Sequence, residues 1–312
     1  MLLSELIRVG NNLLKDLYPE REAREMVFSY LETALGTKRH THIVEPGYQV
    51  EGEAAANAVA AFYRMASGEP LQYVVGKAYF YGREFNVAPD VLIPRPETEL
   101  LCRTVIDHIR TDVHSGMKIL DLCTGSGCIA WTLALELPGT EVLGVDISDG
   151  ALAVARAQDF EGEISETKAV PPGFIKEDVL SYPSSAELFG DFDIIVSNPP
   201  YVMESEKALM RTNVLDHEPH LALFVADDDP LVFYRAIAGW AMRLLKPGGF
   251  GMVEINEALG EETADVFRSA GFENVGIHVD LNGRPRFVTW FRGTICLIFY
   301  KKQTNFKRLI GL

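Results

Sequence analysis

The stretch ILDLCTGSGCIAWTLAL, residues 119–135, decides the fold. An apolar run, KILDL (118–122), carries a carboxylate at Asp121. A short loop follows, Cys123-Thr124-Gly125-Ser126-Gly127, and an apolar helical pattern begins near Gly127. Glycine lets a backbone turn sharply and lets a ligand approach it closely, and a helix start leaves N–H groups without intrahelical partners. A plain strand-to-helix turn has the same look, so the neighbouring sequence must choose.

Working outward, strand and helix patterns alternate. EVLGVD (141–146), GFIKED (173–178), FDIIVSN (192–198), GGFGMVEI (248–255) and NVGIHVD (274–280) read as strands. Helical patterns fall at 127–137, 149–158, 230–245 and 257–270. Such alternation predicts an α/β fold, a doubly wound, Rossmann-like sheet with helices on both faces. Upstream, residues 1–75 are helical in period. Leu3, Leu6, Ile7, Leu13, Leu14 and Leu17 recur at helical spacing, and 21–35 and 54–68 follow suit, which predicts a small N-terminal helical bundle. Residues 77–96 alternate aromatic and polar side chains around Gly82 and then gather prolines, the pattern of a short β-hairpin and an extended connector.

The composition bounds what such a chain can do. Of 312 residues, 47% are apolar and 23% charged, as in ordinary globular proteins. No apolar run reaches the ~18–20 residues of a membrane span, and the first twenty residues lack a signal-peptide pattern, so a cytoplasmic protein with no membrane partner is expected. A formal charge of −15 argues against a large nucleic-acid footprint. Four scattered cysteines without a CxxC pair read as buried reduced thiols. His217 and His220 in DHEPH lack a third ligand nearby, and no metal site is assigned.

Two further features give the loop a ligand. Asp146 ends the second strand, 21 positions after Gly125, where a carboxylate can accept both hydroxyls of a ribose. Asp178, at the end of the third, can take an adenine amino group; a solvated strand-end carboxylate is the competing reading for both. The loop lacks the third glycine of GxGxxG, having Ile129-Ala130 instead, and has no P-loop Lys-Ser/Thr pair. A nucleoside-like ligand without phosphates, such as S-adenosylmethionine, suits it better. After the fourth strand comes SNPPY, residues 197–201. The Asn198 side chain offers an acceptor, the Pro199 carbonyl adds a second, Pro200 stiffens the turn, and Tyr201 offers a flat ring. Together they suit a planar group bearing an NH2.

DLCTGSG (121–127), VDIS (145–148) and SNPPY, in that order, resemble the class I S-adenosylmethionine-dependent methyltransferases that modify amide or exocyclic nitrogens. GEPLQYVVGKAYFYGREFNVAPDVLIPRPETELL (68–101), HEPHLALF (217–224) and DLNGRPRFV (280–288) narrow the resemblance to the peptide chain release factor glutamine methyltransferases, over about residues 1–292. The resemblance implies methyl transfer from S-adenosylmethionine to the side-chain amide nitrogen of the glutamine in the Gly-Gly-Gln motif of release factors. It assigns Asn198, Pro199, Pro200 and Tyr201 to catalysis. Cys123, Thr124, Gly125, Ser126, Gly127, Asp146, Asp178, Val179 and Asn198 are assigned to the cofactor. The implied domains are a helical substrate-recognition domain (1–75), a hairpin and connector (76–96), a methyltransferase domain (97–292) and an atypical tail (293–312). IPRPETE (93–99) is expected against the cofactor pocket; Arg95, Glu97 and Glu99 could equally form structural ion pairs at the domain junction, and none is assigned to catalysis.

One departure concerns the loop. Cys123 stands where the family has its first glycine, and a cysteine is expected to keep ordinary backbone angles, leaving the turn to Gly125 and Gly127. Three other activities stay open on the sequence: a ribosomal-protein glutamine methyltransferase, an adenine-N6 nucleic-acid methyltransferase, and a non-enzymatic nucleoside-binding module. The last two are disfavoured by the acidic balance and by the intact Asn-Pro-Pro-Tyr.

Overall fold

The computed structural model describes residues 1–110, 116–188 and 191–293, Arg110 by its backbone alone. The tail beyond Gly293, with Cys296, lies outside the described residues. By contacts the chain forms two compact units. One comprises residues 1–78, 87–89 and 209–218; the other comprises 79–86, 90–208 and 219 onward. These limits differ from boundaries drawn at 75, 96 and 292. The 209–218 segment packs with the helical unit, where Arg211 pairs with Glu22 at 3.1 Å.

The helical unit holds α1 (Leu3–Leu14), α2 (Glu20–Leu35), α3 (Thr41–Val44), α4 (Gly52–Ala66) and α5 (Leu71–Val75). Helix α1 starts where the Glu5 carboxylate accepts the Leu2 N–H at 3.1 Å, a side-chain cap for an otherwise orphaned donor. Helix α2 stops at Gly36, whose left-handed φ of 64° suits a glycine. Leu3, Leu6, Leu14, Val27, Leu31, Phe62 and Met65 fill the core between these helices. Of the apolar spacing read from the sequence, Leu3, Leu6, Ile7 and Leu14 form the buried stripe of α1, while Leu13 is half-buried and Leu17, past the helix end, is exposed.

The second unit opens on a hairpin, β1 (Lys77–Phe80) and β2 (Arg83–Asn86), though Lys77 and Ala78 fall in the first unit. Then come α6 (Pro96–Arg110), β3 (Lys118–Leu122), α7 (Cys128–Glu136), β4 (Glu141–Asp146), α8 (Asp149–Arg156), α9 (Glu161–Thr167), β5 (Gly173–Lys176) and β6 (Phe192–Ser197). A two-residue strand β7 (Val202–Met203) follows; after α10 (Thr212–His217), which belongs to the helical unit, comes β8 (Phe224–Val225). The chain continues through α11 (Val232–Leu244), β9 (Leu245–Glu254), α12 (Gly260–Ser269), β10 (Glu273–Val279) and β11 (Pro285–Phe291). The main sheet runs β10-β11-β9-β6-β3-β4-β5, and β11 alone is antiparallel to its neighbours.

Period-two alternation sends each strand's side chains to two cores. Ile194 and Val196 join one core with Leu101, Val105 and Ile106 of α6 and the buried side chains of α7. Ile195 joins the other with Tyr234 and Ile237 of α11 and Phe267 of α12. Because both faces are covered, the parallel strands read as continuous apolar runs. Those runs made the doubly wound fold legible.

Three details correct the sequence expectation. Strand β5 ends at Lys176, so Asp178 sits two residues past it rather than at its end, and β6 ends at Ser197, leaving Asn198 as the first residue beyond. Residues 96–110 form α6, a helix the periodicity scan missed behind its proline-rich start. Strand β11 was likewise unforeseen, since it opens on Pro285. It is set by a turn at Asn282-Gly283, with Gly283 at φ 78° and the Asp280 carboxylate accepting the Asn282 and Arg284 N–H groups at 2.8 and 3.0 Å.

Gly251 of β9 lies opposite Trp290 of β11, and a Cβ at Gly251 would sit 2.1 Å from the indole. That indole in turn stacks on Phe267 at 3.8 Å between centroids. Gly251→Ala is therefore expected to displace Trp290 and cost about 1–3 kcal/mol, as overpacked cores do. Urea denaturation checks it: a lower midpoint with an unchanged slope is the expected result.

Candidate active site

Parallel pairing brings the sequence-predicted residues to one edge. Leu122 of β3 pairs with Val145 of β4 on one side and Ser197 of β6 on the other, and Asp146 pairs with Lys176 of β5. The Cys123–Gly127 loop, Asp146 and Asn198 thus leave neighbouring strands at their carboxyl ends, where doubly wound sheets bind ligands. Asp178 follows two residues after β5.

The loop is held by its neighbours. The Thr124 N–H donates to the Val145 carbonyl at 2.9 Å, and the Gly125 N–H to Asp146 Oδ2 at 2.9 Å. Asp146 Oδ1 accepts the Ser148 N–H at 2.9 Å. Each carboxylate oxygen keeps a lone pair beyond these bonds. Burial raises the Asp146 carboxyl, and its backbone donors offset only part of that rise. Gly125 has φ 54° with nothing within 4 Å of a built Cβ, so that side of the loop is open.

Cys123 contradicts the expectation for it. Its φ is 60°, in the left-handed region, so the turn is made at Cys123 as well as at Gly125 and Gly127. A cysteine there costs roughly 1–2 kcal/mol against glycine's freedom. The strand end and the Thr124–Val145 bond fix both sides of the residue and override the local preference.

Asp121 is fully buried. Its Oδ2 accepts the Thr124 hydroxyl proton at 2.6 Å, and its Oδ1 has no hydrogen-bond partner. Burial pushes this carboxyl up to about 7. Val179 places its side chain in the core. The Asp178 carboxylate caps its own turn, accepting the Leu180 N–H at 2.9 Å and the Ser181 hydroxyl at 3.2 Å.

Around SNPPY the geometry is directional. Ser197 donates its hydroxyl proton to the Leu122 carbonyl at 2.6 Å, which ties β6 to β3 at the edge. Asn198 Nδ2 donates to Thr98 Oγ1 at 3.1 Å. Among the described residues, Asn198 Oδ1 and the Pro199 carbonyl accept no protein donor. Pro199 and Pro200 are buried. The Tyr201 hydroxyl donates to Glu254 Oε1 at 2.9 Å, so the ring, half-buried, is held by its far end. The Tyr201 carbonyl accepts from Asn256 Nδ2 at 3.2 Å.

Comparison with known proteins decides the family. Residues 5–76 match the PrmC N-terminal domain, and residues 97–221 match the methyltransferase small domain. A release factor glutamine methyltransferase of Flavobacterium psychrophilum is 37% identical over 276 residues, covering 88% of this chain and 94% of that protein. Another, from Bacteroides thetaiotaomicron, is 39% identical over 88% of this chain and 95% of that protein. The chain belongs to the release factor glutamine methyltransferase family. For the fold alone, the hMettl16 catalytic domain in complex with MAT2A 3'UTR hairpin 6 superposes at a TM-score of 0.52 with 15% identity, over 78% of this chain and 84% of that one.

In this methyltransferase, sequence reasoning missed Thr98, Glu254 and Asn256. Thr98 lies in IPRPETE, near the start of α6 and 2% exposed. Glu254 is a carboxylate closing an apolar run, and that was the available signal: an acid 1% exposed at a strand end needs donors. Of the IPRPETE acids, Glu99 accepts the Tyr81 N–H at 2.9 Å rather than a described ion pair. His217 ends the short helix α10, while His220 lies in the other unit against Phe224 at 5.1 Å. No cluster of three metal-ligating side chains occurs among the described residues, and no described helix is long and apolar enough to cross a membrane.

Two outcomes follow for the loop. Because the Asp121 carboxyl is raised in the fold, its own contribution to stability is fully present below pH ~4 and is lost as pH rises to about 7. Asp121→Asn removes that component, and melting temperatures measured from pH 4 to 8 should fall less steeply in the variant. Cys123→Val places a β-branched residue at φ 60° and is expected to lower stability by about 1–2 kcal/mol more than Cys123→Ala. Equal losses would mean that the backbone relaxes.

Proposed function

We propose that this enzyme methylates the side-chain amide nitrogen of the glutamine in the Gly-Gly-Gln motif of peptide chain release factors, with S-adenosylmethionine as donor. The observation that carries this reading is the pair of protein-free acceptors, Asn198 Oδ1 and the Pro199 carbonyl, on one rigid turn beside the β3–α7 loop. A primary amide offers two hydrogens on one nitrogen, which two acceptors can hold. The family membership supplies the protein substrate, and the acidic total of −15 suits a protein better than a nucleic acid. Release factors work in the cytoplasm, and we place the enzyme there.

The loop residues fit the cofactor. Asp146 keeps lone pairs for ribose hydroxyls, the open side of Gly125 admits a close approach, and the unpartnered Asp121 Oδ1 is an acceptor buried beneath the loop. Cys123–Gly127, Asp146, Asp178 and the Val179 backbone would hold it. When bound, S-adenosylmethionine supplies an electrophilic methyl group on a positively charged sulfur.

The remaining chemistry belongs to the chain. An amide nitrogen is a poor nucleophile, because its lone pair is delocalised into the carbonyl. Asn198 Oδ1 and the Pro199 carbonyl fix the two N–H directions and so aim that lone pair. As nitrogen gains the methyl group it gains positive charge, which the two preorganised dipoles stabilise. The nitrogen sheds a proton once the methyl group is in place, when that proton is acidic, so no strong base is required. The Tyr201 ring lies along the amide plane, and Pro200 keeps the turn from relaxing.

Asn198→Ala should lower transfer by on the order of 10²-fold or more while cofactor affinity stays within a few-fold. The check is labelled S-adenosylmethionine incubated separately with release factor, ribosomal proteins and duplex DNA, with binding followed by calorimetry. Label on DNA or ribosomal protein instead of release factor overturns the substrate. Collapse of cofactor binding in the variant overturns the role given to Asn198.

A further inference from the structure

A buried hydrogen-bond chain behind the reactive turn has a direction. Glu254 closes β9 with a carboxylate 1% exposed. Its Oε2 accepts the Thr98 hydroxyl at 2.7 Å and its Oε1 accepts the Tyr201 hydroxyl at 2.9 Å. A threonine hydroxyl has one proton, and Thr98 gives it to Glu254. What Thr98 offers Asn198 is therefore a lone pair, and Asn198 meets it with Nδ2 at 3.1 Å. The other end of the carboxamide, Oδ1, is then the end left for a ligand.

We infer that Thr98 and Glu254 are positioning residues: the acceptor-only carboxylate of Glu254 sets the direction Asn198 to Thr98 to Glu254, and so selects the Asn198 orientation that presents an acceptor to the substrate NH2. This rests on the reading of Asn198 as a substrate-facing acceptor. The opposite orientation is penalised twice. Oδ1 turned toward Thr98 would claim that hydroxyl's proton, leaving Thr98 Oγ1 and Glu254 Oε2 facing each other at 2.7 Å with no proton between them. It would also turn an NH2 toward an NH2, two donors with no acceptor.

The same carboxylate steadies the other end of the turn. Tyr201, three residues after Asn198, is tied to the second oxygen, so both substrate-facing side chains hang from one buried group. Hydroxyls donate to both of its oxygens, the arrangement of an acceptor-only carboxylate, and they and the nearby Arg286 charge oppose the larger upward push that burial gives its carboxyl. The pairing of IPRPETE with the end of β9 is what makes this possible. Thr98 and Glu254 lie 156 positions apart in sequence.

Four proteins test it: wild type, Thr98→Val, Thr98→Ser and Glu254→Gln. Two readouts are used, steady-state methyl transfer to release factor and the solvent-exchange rate of the Asn198 side-chain amide protons by NMR, assigned by their loss in Asn198→Ala. Thr98→Val keeps the shape and deletes the acceptor. It should lower kcat by on the order of 10²-fold, as misaligned reacting groups do, with the KM for S-adenosylmethionine within about threefold. Its Asn198 protons should exchange faster than in wild type. Thr98→Ser should restore both the rate and the protection, and Glu254→Gln, which brings a donor into the chain, should resemble Thr98→Val. Unchanged exchange in Thr98→Val, or a serine variant as impaired as the valine one, overturns the inference. A wild type that shows the exchange pattern but transfers no methyl to release factor leaves this inference standing and overturns the substrate reading instead.

Discussion

The parallel pairing of β3 with β4 on one side and β6 on the other is the constraint on which the rest depends. It puts the ends of three strands in register, so that the Cys123–Gly127 loop, Asp146 and Asn198 emerge side by side. Both faces of those strands are buried by helices, and a one-residue slip would carry every core side chain to the wrong layer. Register and site geometry are therefore one property. The Ser197 hydroxyl on the Leu122 carbonyl, at 2.6 Å, ties them together at the edge itself.

On that frame the donor side and the acceptor side of the site are built differently. The loop proposed to face the cofactor is made of backbone, turned at Cys123, Gly125 and Gly127 and tied to Asp146. The turn proposed to face the substrate is made of two prolines and two side chains, both referred to one buried carboxylate. A strained loop close to a ligand and a stiff turn close to a reacting atom are what methyl transfer to a weak nucleophile calls for. The energy of alignment is met in folding rather than at the moment of reaction.

Much of this was legible in the sequence, and the parts that were not share a cause. Strands β3 and β4 could be read to the residue because apolar runs end at clear loop signals. Asn198 and Asp146 were legible because polar residues at strand ends stand out against such runs. The αL conformation of Cys123 was not, since local preference argues against it and only the pairing on both sides enforces it. The partnership of Thr98 with Glu254 was hidden by distance along the chain. Strand β11 was hidden by its opening proline, although Asn282-Gly283 before it is a hairpin signal in its own right. Local chemistry shows in a sequence; which distant group completes it does not.

The central claim is that the Asn198 and Pro199 oxygens hold one amide nitrogen. The most direct measurement is a crystal structure of the enzyme with S-adenosylhomocysteine and a peptide containing Gly-Gly-Gln. The glutamine nitrogen is expected within about 3 Å of both Asn198 Oδ1 and the Pro199 carbonyl oxygen, with the Tyr201 ring along the amide plane. A glutamine whose carbonyl oxygen faces Asn198, or whose side chain lies away from the turn, would contradict it.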